Sequence, residues 1–273
     1  TRKELRRLGP VGCFQEPHLY TVRFKEQATD LIEKRFFGAI DDCGSRAIPY
    51  FENYEFNEHS HQMIHDLMNF LDAQKIRTPK GLDALQAYGG FKSHQAALSL
   101  MHRMWQMNVT IWSEGVWEVI SCEESPTKLL VTDHPVTTYN KQCFPLSDQC
   151  RYPKDASIAE LGTHTLFPLG PSHLLVVTNL GYVRNPWVNP RKVRENPRAF
   201  GETLYDATKI QTGRKIGEAS VIAVNLILKS RARRFIAAPE RDWLYPERYV
   251  NSRMWDKLGE LASLMPDPRK VGF

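Results

Sequence analysis

Apolar side chains recur every three or four residues in two segments of the first half of the chain. The first segment, "NEHSHQMIHDLMNFLDAQKI", begins at Asn57 and ends shortly before Thr78 and Pro79. The second, "HQAALSLMHRMWQM", follows Ser93. Asparagine and serine are preferred helix N-caps, and a proline disfavours helical backbone in the residue before it. The pattern therefore predicts two amphipathic helices that pack against a core.

After Asn108 the pattern changes to short β-rich runs separated by turn residues: "VWEVIS", "KLLVTD", "HTLFPLG" and "HLLVVTN". Short runs at this spacing are typical of an antiparallel meander. Residues 129–132 and 174–178 are continuously apolar instead of alternating, which predicts two central strands covered on both faces.

Beyond the meander, "RNPWVNPRKVRENPRAF" contains repeated Asn-Pro pairs and predicts an irregular connection. A long helix is then expected at about 213–231. It leads into a strand at "RRFIAA", and "PERDWLYPERY" is expected to form an extended tail with a turn.

These elements together predict an α+β fold, with a mostly antiparallel central sheet packed by N-terminal and C-terminal helices. We expect residues 1–273 to form a single domain. Its helical part covers about 20–110, its sheet-rich part about 111–180, and its C-terminal helix, strand and tail about 200–273.

The composition is that of an ordinary globular protein, with 42% hydrophobic and 25% charged residues among 273. No segment approaches the roughly 18 to 20 consecutive apolar residues of a membrane span, so no membrane association is expected. The basic segment "TRKELRRLGP" is not followed by the apolar region of a secretory signal. We therefore expect a cytoplasmic protein.

Charge and cysteine content add two expectations. The formal net charge of +5 permits an anionic partner such as nucleic acid, although the basic excess is mild. The five cysteines include no C-x-x-C pair, which argues against a disulfide framework or a zinc knuckle. They are expected to be reduced packing residues.

Familiar catalytic and cofactor motifs are absent from the sequence. His61 and His65 have metal-ligand spacing on a helix, but the H-E-x-x-H pattern is missing, so the metal requirement is unknown. Asp133 and His134 raise the possibility of a Ser-His-Asp triad, but the sequence has no G-x-S-x-G turn to hold the serine. Neither G-x-x-x-x-G-K-[ST] nor G-x-G-x-x-G occurs, so no cofactor is assigned.

Two polar stretches stand at the ends of apolar elements. In "AQKIRTPKGL", Gln74 and Arg77 end a helix, and arginine is suited to bidentate capture of a carboxylate or phosphate. In "LLVTDHPV", Asp133 and His134 end a strand. Asn225 is a lone amide in the apolar run "VIAVNLIL", where it needs a hydrogen-bond partner. We expect Asp133 or the turn backbone to supply it.

Four stretches in this order resemble an uncharacterised family, domain of unknown function 4238, over about residues 49–247. They are "AQKIRTPKGL", "VWEVISCEESPTKLLVTDHPV", "FPLGPSHLLVV" and "QTGRKIGEASVIAVNLILKSRARRFIAAPERDWLYPE". The family's [ST]-D-N-P turn corresponds to residues 132–135 here, with His134 in place of the asparagine. The resemblance implies no activity.

Two functional hypotheses follow. In the first, the protein is a hydrolase, such as a nuclease, acting on a phosphate-bearing substrate in an anion-binding cleft. Asp133 would be its general base or metal ligand, and Arg77 would bind the anion. Gln74, His134 and Asn225 would contribute to ligand binding. In the second, the same cleft is a noncatalytic binding module for an anionic ligand or partner protein. Both hypotheses predict that Arg77 and Asp133 face each other and share a network with Asn225, although a purely structural network of the three is also open.

Overall fold

The structure is a computed structural model, and it describes residues 4–9, 13–14, 19–20, 22–24, 27–29, 37–90, 93–143, 147–179 and 207–250. Its α-helices are α1 (Gly38–Glu52), α2 (Ser60–Arg77), α3 (Pro79–Gly89), α4 (His94–Arg103), α5 (Met107–Ser113) and α6 (Glu218–Arg231). Its strands are β1 (Val22–Phe24), β2 (Gln27–Thr29), β3 (Val116–Ser121), β4 (Val131–Thr132), β5 (Thr137–Tyr139), β6 (His164–Pro168), β7 (His173–Thr178), β8 (Gln211–Lys215) and β9 (Ile236–Ala237).

A five-stranded sheet with the order β5-β6-β7-β3-β8 forms the centre of the fold. The strand pairs are antiparallel except for β3 with β8, which is parallel. Two short antiparallel pairs, β1 with β2 and β4 with β9, form separate small sheets. The α+β class and the mostly antiparallel central sheet are confirmed.

Both faces of the central sheet are covered. On one face, side chains of β3 and β7 pack against the N-terminal helices, with Trp117 and Leu175 in the same core as Leu67 of α2. On the other face, Ile120 and Leu174 pack with α6. The apolar run of β7 and the largely apolar sequence of β3, which is interrupted by Glu118, follow from this arrangement, because neither face of either strand is exposed to water.

The prediction for residues 129–132 was wrong in part. Only Val131 and Thr132 form a strand, and they pair with Ala237 and Ile236 in a small sheet outside the central one. Leu129 and Leu130 are apolar because they are buried in the core beneath α6. Periodicity cannot separate such a segment from a central strand.

Element boundaries also differ from expectation near the C-terminus. The helix predicted from about 213 begins at Glu218, because Gln211–Lys215 is a strand parallel to β3. Ser93 caps α4 as predicted, by accepting a hydrogen bond from the Ala96 amide. Asn57 is not the cap of α2, which begins at Ser60 after His59. The connection at 184–200 lies outside the described residues, and the single-domain assignment stays a prediction.

Asn225 joins α6 to the segment that precedes β4. Its side-chain oxygen accepts a hydrogen bond from the Leu130 amide at 3.0 Å, and its amide donates to the Lys128 carbonyl at 2.8 Å. Asn225 is fully buried, so these two bonds satisfy both ends of the side chain. Neither Asp133 nor the backbone of the turn after β4, the two partners expected for it, is found, because the backbone groups that Asn225 binds precede β4.

We predict that Asn225→Leu destabilises the fold by about 2 to 5 kcal/mol, because it leaves two buried backbone groups without partners. Urea unfolding followed by circular dichroism measures this difference. Ser230→Ala, which removes a hydroxyl from an exposed position on the same helix, is the matched control. Equal unfolding free energies for the two variants would contradict this structural role.

Candidate functional site

Three of the stretches that carry the family resemblance meet in one buried polar cluster. The hydroxyl of Thr78, between α2 and α3, lies 3.0 Å from Nδ1 of His134, in the turn after β4. Nε2 of His134 lies 2.7 Å from Oδ2 of Asp155. The end of α6 joins through Arg231, whose carbonyl accepts a hydrogen bond from Lys80.

The local sequence explains why Thr78 is available at this place. Thr78 has extended backbone between two helices, and Pro79 occupies the first position of α3, where its missing N–H costs nothing. The Thr78 hydroxyl accepts a hydrogen bond from the Gly81 amide at 3.1 Å and so caps α3. The break between the helices thus directs Thr78 at His134 and places Lys80 within the first turn of α3.

Asp155 is the shared acceptor of the cluster. Its Oδ1 accepts a hydrogen bond from Lys80 at 2.6 Å, and its Oδ2 accepts from His134 and, at 3.4 Å, from Lys75. These donors come from α2, from α3 and from the turn after β4. A single carboxylate therefore holds three parts of the fold together.

Burial shifts the ionisation of the cluster. Burial raises the pKa of Asp155, but the charges of Lys75 and Lys80 outweigh this effect and hold the pKa well below its usual range. Desolvation lowers the pKa of Lys80 and lowers that of His134 to about 4, and in both cases Asp155 only partly opposes it. His134 is therefore neutral at pH 7 beside an ionised carboxylate.

The hydrogen bonds determine which nitrogen of His134 carries the imidazole proton. Because ionised Asp155 can only accept, we assign the imidazole proton of His134 to Nε2. Nδ1 then carries a lone pair, and the Thr78 hydroxyl donates to it. Thr78, His134 and Asp155 form a relay of hydroxyl, imidazole and carboxylate.

Hydrogen-bond donors outnumber acceptors in this cluster. Arg231 donates to the Cys150 carbonyl at 3.1 Å and to the Cys143 carbonyl at 3.3 Å. Its buried Nε has no hydrogen-bond partner among the described residues. Lys75, Lys80 and Arg231 carry three positive charges. Asp155 supplies one negative charge within the cluster, and Asp72, whose pKa burial raises to about 6, interacts electrostatically with Lys75. The cluster therefore carries more positive than negative charge, and one of its buried donors has no acceptor among the described residues.

Arg77 and Gln74 do not join this cluster. The Arg77 guanidinium forms two hydrogen bonds to Asp41 of α1, at 3.0 and 2.5 Å, and lies over the Phe37 ring. Gln74 is half-buried on α2 and makes no side-chain hydrogen bond within the described part of the chain. Arg77 therefore links α1 to α2, and the expected direct contact with Asp133 is not formed.

Asp133 points away from His134, towards the segment that leads into β9. Its carboxylate accepts hydrogen bonds from three consecutive amides, those of Arg233, Arg234 and Phe235, at 2.8, 2.7 and 3.0 Å. The shared network of Arg77, Asp133 and Asn225 was thus a wrong expectation, because each has its own partners. Their functional roles stay predictions.

Sequence reasoning named His134 but missed Lys75, Thr78, Lys80, Asp155 and Arg231. Lys75 and Lys80 stand in the quoted stretch "AQKIRTPKGL", and Arg231 stands in "KSRARRF". Their place in stretches of family resemblance was the available signal. Asp155 lies in none of these stretches and had no signal, since its lysine partners are 75 and 80 residues and His134 is 21 residues away along the chain.

The cysteines differ from expectation. Cys143 and Cys150 form a disulfide, whereas Cys13, Cys43 and Cys122 are free. Neither His61 nor His65 belongs to a metal-binding group, and the described residues contain no cluster of three or more metal-ligating side chains. Within the same ranges, no helix is long and apolar enough to cross a membrane.

A small apolar pocket adjoins the turn that holds Asp133 and His134. Two residues flanking this turn, Thr132 and Pro135, line the pocket together with Leu130, Val131, Pro168 and Leu228. The strand end before Pro135 therefore borders this pocket. No family model, curated protein or solved structure matches this chain. The resemblance to domain of unknown function 4238 accordingly stays a prediction.

Stability is predicted to fall as the pH falls from 6.5 towards 4. Desolvation lowers the pKa of His134 and of His164 to about 4, so between these pH values the unfolded chain binds more protons than the folded one. Each histidine then costs up to about 3 kcal/mol at pH 4. Asp72 opposes this trend, because burial raises its pKa to about 6.

Urea unfolding at several pH values between 4.5 and 7 tests this prediction. His134→Asn removes one titrating group, so the pH dependence of its unfolding free energy is expected to be smaller by about one proton. An unchanged dependence would show that His134 is not buried in its neutral form.

Proposed function

We propose that the protein binds a phosphate-bearing ligand at the cluster of Lys75, Lys80, His134, Asp155 and Arg231, which we call the lysine–arginine site. The observation that carries the proposal is the excess of buried cations over carboxylates. Burying unpaired charge is costly, and an anion that supplies both charge and acceptor oxygens reduces this cost. A phosphate group offers several acceptors to donors from different elements.

Lys75 is the expected point of first contact. Its side chain is 15% exposed, compared with 4% for Lys80, so the site is most open to solvent at this residue. Its hydrogen bonds are also the longest in the cluster, at 3.4 Å to Asp155 and 3.5 Å to the Val136 carbonyl. Lys75 can therefore turn towards an anion with little loss of existing interactions.

Hydrolysis of the bound phosphate ester is a second candidate function. One observation favours it: Thr78, His134 and Asp155 are arranged as hydroxyl, base and carboxylate. Two features rank it below binding. Desolvation lowers the pKa of His134 to about 4, which makes it a weak base at neutral pH, and the Thr78 hydroxyl also caps α3.

Binding of inorganic phosphate, measured by isothermal titration calorimetry at constant ionic strength, tests the first proposal. We predict that Lys75→Gln weakens binding about tenfold, which corresponds to the loss of one charged hydrogen bond. Lys154→Gln removes an exposed positive charge next to Asp155 and should leave binding unchanged. Equal affinities for the two variants, or no binding by the unaltered protein, would refute the site.

The second candidate requires turnover as well as binding. Release of phosphate from p-nitrophenyl phosphate, and cleavage of RNA and DNA with and without a chelator, would reveal hydrolysis. Thr78→Val should abolish any such activity, whereas Thr78→Ser, which retains the hydroxyl, should keep part of it. Phosphate binding without turnover favours the noncatalytic function.

A further inference from the structure

The disulfide lies directly beside the lysine–arginine site. Cys143 and Cys150 are seven positions apart, their Cα atoms are 5.9 Å apart, and both side chains are buried. This Cα separation lies within the range that a disulfide bridges without backbone movement. The exposed residues Asp148 and Gln149 lie just before Cys150, so the short loop that the cross-link closes reaches the protein surface.

The carbonyl groups of the two cross-linked cysteines are the hydrogen-bond acceptors of Arg231. One terminal nitrogen of the guanidinium donates to the Cys150 carbonyl and the other to the Cys143 carbonyl. A guanidinium presents its donors in a rigid fork, so the two acceptors must keep a fixed separation. The disulfide supplies that separation.

Local hydrogen bonds alone do not join the two carbonyls. The Cys143 amide donates to the Asn140 carbonyl, whereas the Cys150 amide donates to the Ser147 carbonyl. Each cysteine therefore belongs to its own turn. Besides the disulfide, the Cys143 sulfur and the Ser147 hydroxyl form a long contact of 3.9 Å between the two turns, which is a weak hydrogen bond.

We infer that Cys143–Cys150 is a redox site that controls phosphate binding through Arg231, and this inference rests on the proposed function. In the oxidised protein, Arg231 is held by the loop carbonyls. In the reduced protein, the two carbonyls separate and the guanidinium is released to donate to the anion. Reduction thus increases the affinity of the site for phosphate.

The redox step needs a dithiol as reductant. One thiolate of the dithiol attacks a sulfur of the Cys143–Cys150 bond and forms a mixed disulfide, and its second thiolate then displaces the protein sulfur. Two electrons pass to the protein, both cysteines take up protons as thiols, and the dithiol becomes a disulfide.

The first experiment measures binding of inorganic phosphate by the oxidised and the dithiothreitol-reduced full chain. We expect the reduced protein to bind about tenfold more tightly, since it gains one charged hydrogen bond. The double variant Cys143→Ser, Cys150→Ser should bind phosphate like the reduced protein, and dithiothreitol should not change its affinity. Cys43→Ser, which alters a free cysteine, should retain the response. Equal or weaker binding after reduction overturns the inference.

A second experiment needs no phosphate. If Arg231 stabilises the oxidised loop, Arg231→Gln should make the disulfide easier to reduce, and a tenfold change in the equilibrium with dithiothreitol corresponds to about 30 mV. Alkylation of the thiols followed by mass spectrometry measures the reduced fraction. Arg231→Lys retains the charge without the fork and provides a second variant if Arg231→Gln does not fold. An unchanged equilibrium in the folded variant overturns the inference.

The two experiments separate the inference from the proposed function. Absence of phosphate binding in both redox states, with a reduction equilibrium that depends on Arg231, refutes the function and leaves the coupling intact. Phosphate binding that ignores both dithiothreitol and the cysteine substitutions refutes the inference and leaves the function intact. If the proposed function and the inference both hold, phosphate must shift the disulfide equilibrium towards the reduced form. The factor equals the ratio of the phosphate affinities of the reduced and the oxidised protein.

Discussion

The buried carboxylate of Asp155 is the interaction on which the polar interior of this fold depends. It accepts hydrogen bonds from Lys80, His134 and Lys75, which come from three elements separated widely in sequence. Ionised groups are expensive to bury, and their mutual attraction compensates only when the geometry is good and the remaining donors are satisfied. Asp155 meets the first condition through contacts of 2.6 and 2.7 Å. The second condition is not met in full, because the Nε of Arg231 has no partner among the described residues.

Structural and functional polar groups are distinguished by whether their hydrogen bonds are complete. The side chains of Asn225 and Asp133 form hydrogen bonds with backbone groups, and each side chain joins two segments of the chain. Lys75 makes long contacts, and the buried Nε of Arg231 has no partner among the described residues. Because buried polar groups are normally paired, the missing partner of Arg231 supports our proposal that this cluster binds a ligand. We infer that reduction of the neighbouring disulfide increases the number of hydrogen-bond donors that can bind the ligand.

The sequence was sufficient for the elements whose burial leaves a periodic signal. Helix α2 and strands β3 and β7 were predicted because one or both of their faces are apolar. Strand β8 was missed, since the polar segment "QTGRK" lies at the edge of the sheet and carries no hydrophobic pattern. Leu130 was misassigned because burial beneath α6 resembles burial in a strand. For the polar cluster, Arg77 and Asp133 were predicted to face each other and His134 to bind a ligand, whereas Thr78 and His134 are the residues that meet. Where a helix or strand ends, the direction in which each side chain points depends on distant partners such as Asp41 and Asp155. The local sequence does not reveal these partners.

The central proposal is that the cluster around Asp155 binds an anion, and rescue of Asp155→Asn by phosphate tests it most directly. In chloride, this substitution should lower the unfolding free energy by about 3 to 5 kcal/mol, because Lys75 and Lys80 lose their charged acceptor. Phosphate at the same ionic strength can replace the missing charge. The account predicts that the difference in unfolding free energy between the variant and the unaltered protein shrinks as phosphate replaces chloride. A difference that is the same in both salts would contradict it.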